Sequence, residues 1–328
     1  MTTIITRRRL LARTIAALGV AAAGSARGQS PYPDKPIKAI LPYTPGSPND
    51  VIARIIGPVL SSRLGQPVVV ENRAGGGTMI GVKAVMGSNP DGYTLLFTNT
   101  PTHVIAQLLA KGPTYDPVAD FAPIVAVGST SLVLVISTNL PVNTLTEFIA
   151  YAKANPGKLN FGFGQGTLPH LVGLAFRMAT ATDIATIPYR GGTAAITDMM
   201  GGQINMSLSA VGTLLPLIRE RKIKAIAVSS PTRNAELADV PTMMESGLPG
   251  LTTVTYYGFL GPAGTPADVV TRINGEVNEA LKSAELRAVL RRTGFEPTGG
   301  SPQHFAALIA EQLQHWTPIV KSSGFQME

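Results

Sequence analysis

Leu159-Asn160-Phe161-Gly162-Phe163-Gly164-Gln165-Gly166-Thr167-Leu168-Pro169-His170 carries three alternating glycines from a short apolar strand into the start of a helix. Glycines at alternate positions permit φ > 0 and close approach of a ligand, and the first amides of a helix have no intrahelical acceptor. The stretch reads either as an anion-binding turn or as a plain strand-to-helix connection. It is not a nucleotide fingerprint, because Thr167 stands where a dinucleotide motif needs its third glycine and no Lys-Ser/Thr pair completes a P-loop.

Two further loops share its form. After the apolar run Ile37–Leu41 comes Pro42-Tyr43-Thr44-Pro45-Gly46-Ser47-Pro48-Asn49-Asp50, then the helical pattern Val51–Ile56. Asn49 or Asp50 is expected to cap that helix, and the Asp50 carboxylate, which would repel an anion there, is expected to hold the loop's shape. The third loop is Pro188-Tyr189-Arg190-Gly191-Gly192-Thr193, and Arg190 is the one formal cation in the three loops. Loops at the carboxyl ends of strands in different parts of an open α/β chain meet where such folds bind ligands.

The rest of the chain repeats the strand-then-helix pattern. Candidate strands are Ile37–Leu41, Val68–Glu71, Thr94–Thr98, Ile124–Val127, Leu132–Ile136, Asn160–Phe163, Ala185–Pro188, Ile204–Ser207, Ala225–Val228 and Tyr256–Leu260, mostly continuous apolar runs that suit strands buried on both faces. Thr144-Leu145-Thr146-Glu147 reads as a capping box before Phe148–Ala154, and Pro266 opens a helix carrying Val269, Ile273 and Val277. From Pro302 onward Phe305, Leu308, Ile309, Leu313, Trp316 and Val320 form one apolar face, with Pro318 expected to bend or end the helix. The class is α/β with mainly parallel sheets, and the length of 328 residues favours two domains.

The N-terminus reads as an export signal. Arg7-Arg8-Arg9 precedes an apolar run from Thr14 to Ala23 that is too short to span a membrane, and small residues near Ala26 and Gly28 offer cleavage sites, so residues 1–28 are read as removed. Arg7-Arg8 followed by x-Leu-Leu resembles a twin-arginine signal; an ordinary arginine-rich secretory signal is the alternative. That segment holds five of the 27 Lys and Arg residues, which leaves 22 against 20 acidic residues, and no basic stripe for nucleic acid remains. With no cysteine there is no disulfide and no thiol for lipid attachment. The expectation is a periplasmic monomer, not lipid-anchored, with no nucleic-acid partner.

With these loops in view the chain resembles the substrate-binding receptors of tripartite tricarboxylate transporters, the Bug family, over nearly all of the segment after residue 28. The resemblance rests on Tyr32-Pro33-Asp34-Lys35-Pro36-Ile37, Glu71-Asn72-Arg73-Ala74-Gly75-Gly76-Gly77, Pro90-Asp91-Gly92-Tyr93, Tyr115-Asp116-Pro117, Asp120-Phe121-Ala122-Pro123 and Pro188-Tyr189-Arg190-Gly191. Asp239-Val240-Pro241-Thr242 and Gly261-Pro262-Ala263-Gly264-Thr265-Pro266 continue it in order, with Trp316 near the end. It implies a two-domain type II periplasmic-binding-protein fold, each domain a mainly parallel sheet flanked by helices and the two joined by crossover strands: residues 29–128 with 255–328, and residues 129–254. It also implies a receptor that captures a small mono- or dicarboxylic acid and delivers it to integral-membrane transporter subunits.

By that resemblance one carboxylate is held between Tyr43, Thr44, Gly46, Ser47 and Asn49 on one side and Gly164, Gln165, Gly166, Thr167 and His170 on the other. Asn99 with Tyr189, Arg190 and Gly191 then reads the rest of the ligand. Family members usually carry a glycine at the position of Ser47, and many carry an acidic or amide residue where this chain has Ser207-Leu208-Ser209, which argues against an amine-bearing ligand. No cofactor or metal is implied. Presentation of the ligand to a sensor kinase is an alternative output. Catalysis by His170 is the other, although no G-x-S-x-G elbow, H-E-x-x-H helix or calcium loop is present among four histidines and no cysteine.

Overall fold

A computed structural model describes residues 32–323 apart from Lys111, Pro113, Gly166 and Arg190. The compact body begins at Lys35, and Tyr32–Asp34 belong to a separate N-terminal unit. The export-signal reading of residues 1–28 lies outside the described residues. No helix among the described residues is long and apolar enough to cross a membrane.

The expected alternation of strands and helices is present. It opens with β1 (Ile37–Leu41), α1 (Pro48–Leu64), β2 (Val68–Asn72), α2 (Met79–Met86), β3 (Thr94–Asn99), a π-helical turn (Pro101–Ile105) and α3 (Ala106–Leu109). It continues through β4 (Phe121–Ser137), α4 (Leu145–Ala154), β5 (Leu159–Gly164), α5 (Leu168–Thr180), β6 (Ile184–Tyr189), α6 (Gly192–Met200), β7 (Met206–Ala210), α7 (Val211–Arg219) and β8 (Ile223–Val228). It closes with β9 (Val254–Pro262), α8 (Ala267–Ala280), α9 (Ala284–Arg292), β10 (Phe295–Pro297) and α10 (Pro302–Ser323). The capping box at α4 is complete, with Glu147 N donating to Thr144 Oγ1 at 3.2 Å and Thr144 N donating to Glu147 Oε2 at 3.2 Å.

The strands run in the order β2-β1-β3-β9-β4-β7-β5-β6, with β8 and β10 also paired to β4. The parallel pairs are β1 with β2 and β3, and β5 with β6 and β7. Every antiparallel pair includes β4 or β9. Two parallel groups are thus joined through two long strands. β4 changes partner along its length: Phe121–Ser131 pairs with β9, and Leu132–Ile136 pairs with β7.

Ile124–Val127 and Leu132–Ile136, read from the sequence as separate strands, are one 17-residue strand. The small polar run Gly128–Ser131 between them has the composition of a turn, yet each of its residues is paired with β9. Glycine is needed at 128 because an added Cβ would run into the Phe295 ring and the Glu296 carbonyl. Strand β10, which supplies that ring, is too short to show a period in sequence.

The core forms several clusters. Phe148, Phe161, Phe176 and Trp316 share one with Leu134, Leu171 and Met206. Ile40, Leu96, Val104, Phe121, Phe305 and Ile309 form another. Helix α10 therefore enters one cluster with its first turns and another with its last. That explains why Pro318 does not end it: Trp316 at 1% exposure and Val320 at 5% anchor the helix on both sides of the proline.

Candidate functional site

The carboxyl ends of β1, β3, β5, β6 and β7 deliver their following loops to one cleft of about 950 Å³. Its wall includes Gly46 in the loop before α1 and residues of the first turns or caps of several helices: Pro48 at α1, Thr78 at α2, Thr167 and Leu168 at α5, Gly192 and Thr193 at α6, and Gly212 and Thr213 at α7. Side-chain caps are absent at α2, α5, α6 and α7. Uncapped first-turn amides point their hydrogens outward and carry the positive end of the helix dipole. No Lys, Arg, His, Asp or Glu lines the cleft among the described residues. Its polarity toward an anion comes from backbone and hydroxyl groups.

The Tyr43–Asn49 loop is held rigidly from behind. Gly46 sits at φ +80°, the left-handed region, with open space where a side chain would stand. Its amide donates to Asp50 Oδ2 at 2.9 Å, and the same carboxylate accepts from Arg54 Nε at 2.9 Å and Asn72 Nδ2 at 3.0 Å. Burial pushes the Asp50 carboxyl up, but the bonds from Arg54, Gly46 and Asn72 outweigh it and hold it below the ordinary carboxylate range. Asp50 orders the loop, as its sequence position suggests. The cap is neither Asn49 nor Asp50: Ser47 Oγ accepts from Asp50 N at 3.3 Å, because Ser47 alone has extended backbone at the position before the first turn.

Asn99 is the hub beneath this loop. Its Oδ1 accepts from the Tyr43 hydroxyl at 3.0 Å and from Thr102 N at 3.1 Å, and its Nδ2 donates to Asn49 Oδ1 at 2.9 Å. The Tyr43 hydroxyl in turn accepts from Thr102 Oγ1. Burial raises the Tyr43 phenol and pushes the neighbouring Tyr257 phenol up to about 12, so both stay neutral donors. Asn99 thus spends its amide on positioning Tyr43 and Asn49. Tyr43, Gly46 and Asn99 line the cleft, whereas Asn49, at 2% exposure, lies behind it. Thr44 is exposed.

The glycine-rich turn has a different physical basis from the one its sequence suggests. Gly162 and Gly164 lie inside β5, and neither is among the residues with positive φ. They are small because α6 packs onto the strand. A Cβ at Gly162 would stand 3.0 Å from Ala195 Cβ and from Ile204 Cγ2, and one at Gly164 would stand 3.1 Å from Gly192 N. Two uncapped helix starts are thereby drawn together. Thr167 Oγ1 donates to Gly164 O at 2.6 Å and Gln165 N to Tyr189 O at 3.0 Å, which closes the turn; Gly166 falls outside the described residues.

Gly164 and Thr167 line the cleft, while the exposed Gln165 does not. His170 is 7% exposed and stacks on Phe163 with ring centroids 4.1 Å apart, off the cleft wall, and burial lowers its pKa. Tyr189 donates its hydroxyl to Asp198 Oδ2 at 2.7 Å, and burial with that contact raises the phenol to about 12. Gly191 is the N-cap of α6, and Arg190 falls outside the described residues.

His103 lines a separate small cavity with Thr98, Tyr256 and Gln312. Thr130, Thr255, Tyr257, Thr78 and the start of α7 also line the main cleft, and sequence reasoning passed over them. Thr78 had a signal, the preceding Gly75-Gly76-Gly77, whereas Thr130 and Thr255 had none. No group of three or more His, Asp or Glu among the described residues could hold a metal ion.

Residues 52–325 match the family described as the tripartite tricarboxylate transporter family receptor. The chain belongs to this family. Protein BugT of Bordetella pertussis is 35% identical over 317 residues, covering 96% of each chain. The solved R. palustris protein Rpa4515 with adipate is 30% identical with a TM-score of 0.78, covering 90% of this chain and 99% of its own. The periplasmic binding protein BugD is 30% identical with a TM-score of 0.74, covering 90% and 100%.

The fold is accordingly the type II periplasmic-binding-protein fold, with a mixed sheet flanked by helices. As a tripartite tricarboxylate transporter receptor the protein works in the periplasm and binds a small carboxylate for a membrane transport system. The family consists of solute-binding receptors, not enzymes. A cleft with neutral donors and no formal charge among its described residues suits that work: the ligand is held by bonds that opening can break, with no tight buried ion pair to dissolve.

Proposed function

We propose that the receptor holds one carboxylate of its ligand between the Tyr43–Asn49 loop and the turn from Gly164 to Thr167, with Tyr189, Arg190 and Gly191 bordering the remainder. The observation that carries this is the convergence of uncapped helix starts on a cleft whose described lining has no formal charge. Each such contact contributes about 0.3–1 kcal/mol when exposed and up to about 2 when partly buried, so several together give useful affinity. Adipate in the R. palustris relative supports an aliphatic acid as ligand. Ser207-Leu208-Ser209 supplies no carboxylate for an ammonium group, which favours a mono- or dicarboxylic acid without an amine.

In this reading residues 29–128 with 255–328 and residues 129–254 are two bodies that close over the ligand by bending β4 and β9. The mature protein acts as a monomer, free of lipid and exported by the twin-arginine route.

A thermal-shift panel of carboxylic acids tests the assignment. A true ligand at a hundredfold excess over its Kd stabilises the protein by about 2.7 kcal/mol. Gly164→Val, whose side chain would enter the space beside Gly192 N, is expected to abolish the shift. Retention of full binding in that variant removes the turn from the site, and a response to amino acids or sugars alone refutes the carboxylate assignment.

A further inference from the structure

The cleft is far larger than a carboxylate group, and much of its wall beyond the proposed clamp is hydrocarbon. Leu168 follows the Gly164–Thr167 turn directly and lines the cleft, as do Ile105, Leu109, Leu132 and Leu208. Ile105 and Leu109 stand four residues apart, where the π-helical turn passes into α3. In the β4–β7 register Leu132 lies opposite Ala210 and Leu134 opposite Leu208, which puts Leu132 and Leu208 on the same face of the sheet. All of these lining side chains are at most 5% exposed, and they share one core cluster with Phe161 and Trp316. This part of the wall is therefore the outer surface of a packed core, fixed before any ligand arrives.

Polar side chains near the clamp are already engaged with the protein. The Tyr43 hydroxyl and the Asn99 amide bond each other, Thr102 and Asn49, and Thr167 Oγ1 donates to Gly164 O. No charged side chain lines the cleft among the described residues. A ligand hydroxyl laid against the leucines would lose its water and find no partner, whereas a methylene in the same place gains by leaving water. At about 950 Å³ the cleft has the room for such a body, being near the upper end of the ~300–1,000 Å³ typical of small-molecule sites.

We propose that Ile105, Leu109, Leu132, Leu168 and Leu208 form an apolar subsite that sets the receptor's specificity, selecting a carboxylate with a hydrocarbon body over a hydroxy acid of the same length. This rests on the carboxylate reading of the cleft given above.

Isothermal titration of the purified full-length receptor with butyrate, hexanoate, gluconate and hexanamide tests it. Hexanoate is expected to bind about tenfold or more tightly than butyrate, at roughly fourfold for each added methylene. Gluconate, which matches hexanoate in chain length and carries a hydroxyl on every carbon beyond the carboxylate, is expected to bind at least about tenfold more weakly than hexanoate. Leu208→Ala is expected to cut the hexanoate-to-butyrate ratio to about threefold or less, and Leu208→Met to preserve it. Should Leu208→Ala lack a native melting transition, the ligand series in the natural protein decides alone. Butyrate or gluconate binding as tightly as hexanoate, or a ratio that Leu208→Ala leaves unchanged, removes the apolar subsite and leaves the clamp standing. Hexanamide binding as tightly as hexanoate removes the clamp, and binding of none of these compounds overturns both.

Discussion

His103 shows how a buried residue can couple this receptor's stability to pH. It is 2% exposed, its Nε2 donates to Pro117 O at 2.6 Å, its Nδ1 has no partner among the described residues, and Phe121 packs edge-on at 4.9 Å. Burial lowers its pKa from 6.5 to about 4, against the smaller opposing pull of Pro117 O and Asp116. A depressed folded-state value means that the neutral ring is the native form. Stability is therefore complete above pH 6.5 and is lost as the pH falls through 4, by about 3 kcal/mol at most. Urea melts at pH 7 and pH 4 are expected to differ by about 3 kcal/mol less in His103→Gln than in the natural protein. Equal pH slopes in the two would show that His103 stays solvated. The sequence could not reveal this role, since the residues that bury the ring, Tyr115 and Phe121, come from beyond the following helical turns. Asp50 was legible, because its partners Gly46 and Arg54 lie within four residues.

At the scale of elements, regular pieces were readable wherever their pattern is local. The strands before the three loops, the α4 capping box and the apolar face of α10 all follow from spacing and composition. What escaped reading depends on contacts across the sheet: the fusion of two runs into β4, the short β10 beside it, and a β7 that occupies Met206–Ala210 instead of Ile204–Ser207. The strand-to-helix turn was legible, but Gly162 and Gly164 are small for helix packing and not for left-handed backbone. Left-handed backbone occurs instead ahead of α2, where Gly75, Gly76, Gly77 and Thr78 all have positive φ, Thr78 at 82°. A β-branched residue there costs about 1–2 kcal/mol, and asparagine tolerates the conformation better. Thr78→Asn is expected to raise the unfolding free energy by about 1 kcal/mol, read by urea titration. A destabilised variant would mean that the Thr78 methyl group contributes more by packing than the backbone loses.

For the whole molecule, the proposed closure needs a place where β4 and β9 can bend together, and the hydrogen bonds around Ser229 mark it. Ser229 is fully buried; its Oγ accepts from Leu132 N at 2.9 Å and donates to Thr253 O at 2.6 Å, while its own backbone bonds the same two residues. Leu132 is where β4 passes from β9 to β7, and Thr253 is the residue before β9. One hydroxyl therefore ties both crossing segments at the point where partners change. Around it the Ser131, Ser230, Thr252 and Thr253 hydroxyls are buried without partners among the described residues, so the region holds spare donors that a bent arrangement can use. Ser229→Ala leaves a buried amide and a buried carbonyl without that hydroxyl, at a cost of about 1–3 kcal/mol in chemical denaturation. Ser229 is not among the described residues that line the cleft, so the substitution removes no side chain from the proposed site. The variant's affinity should shift only through the balance of open and closed forms, with ligand-induced compaction in solution scattering altered in the same direction. A variant that loses stability yet keeps the natural affinity and the natural compaction places the bend elsewhere on β4 and β9.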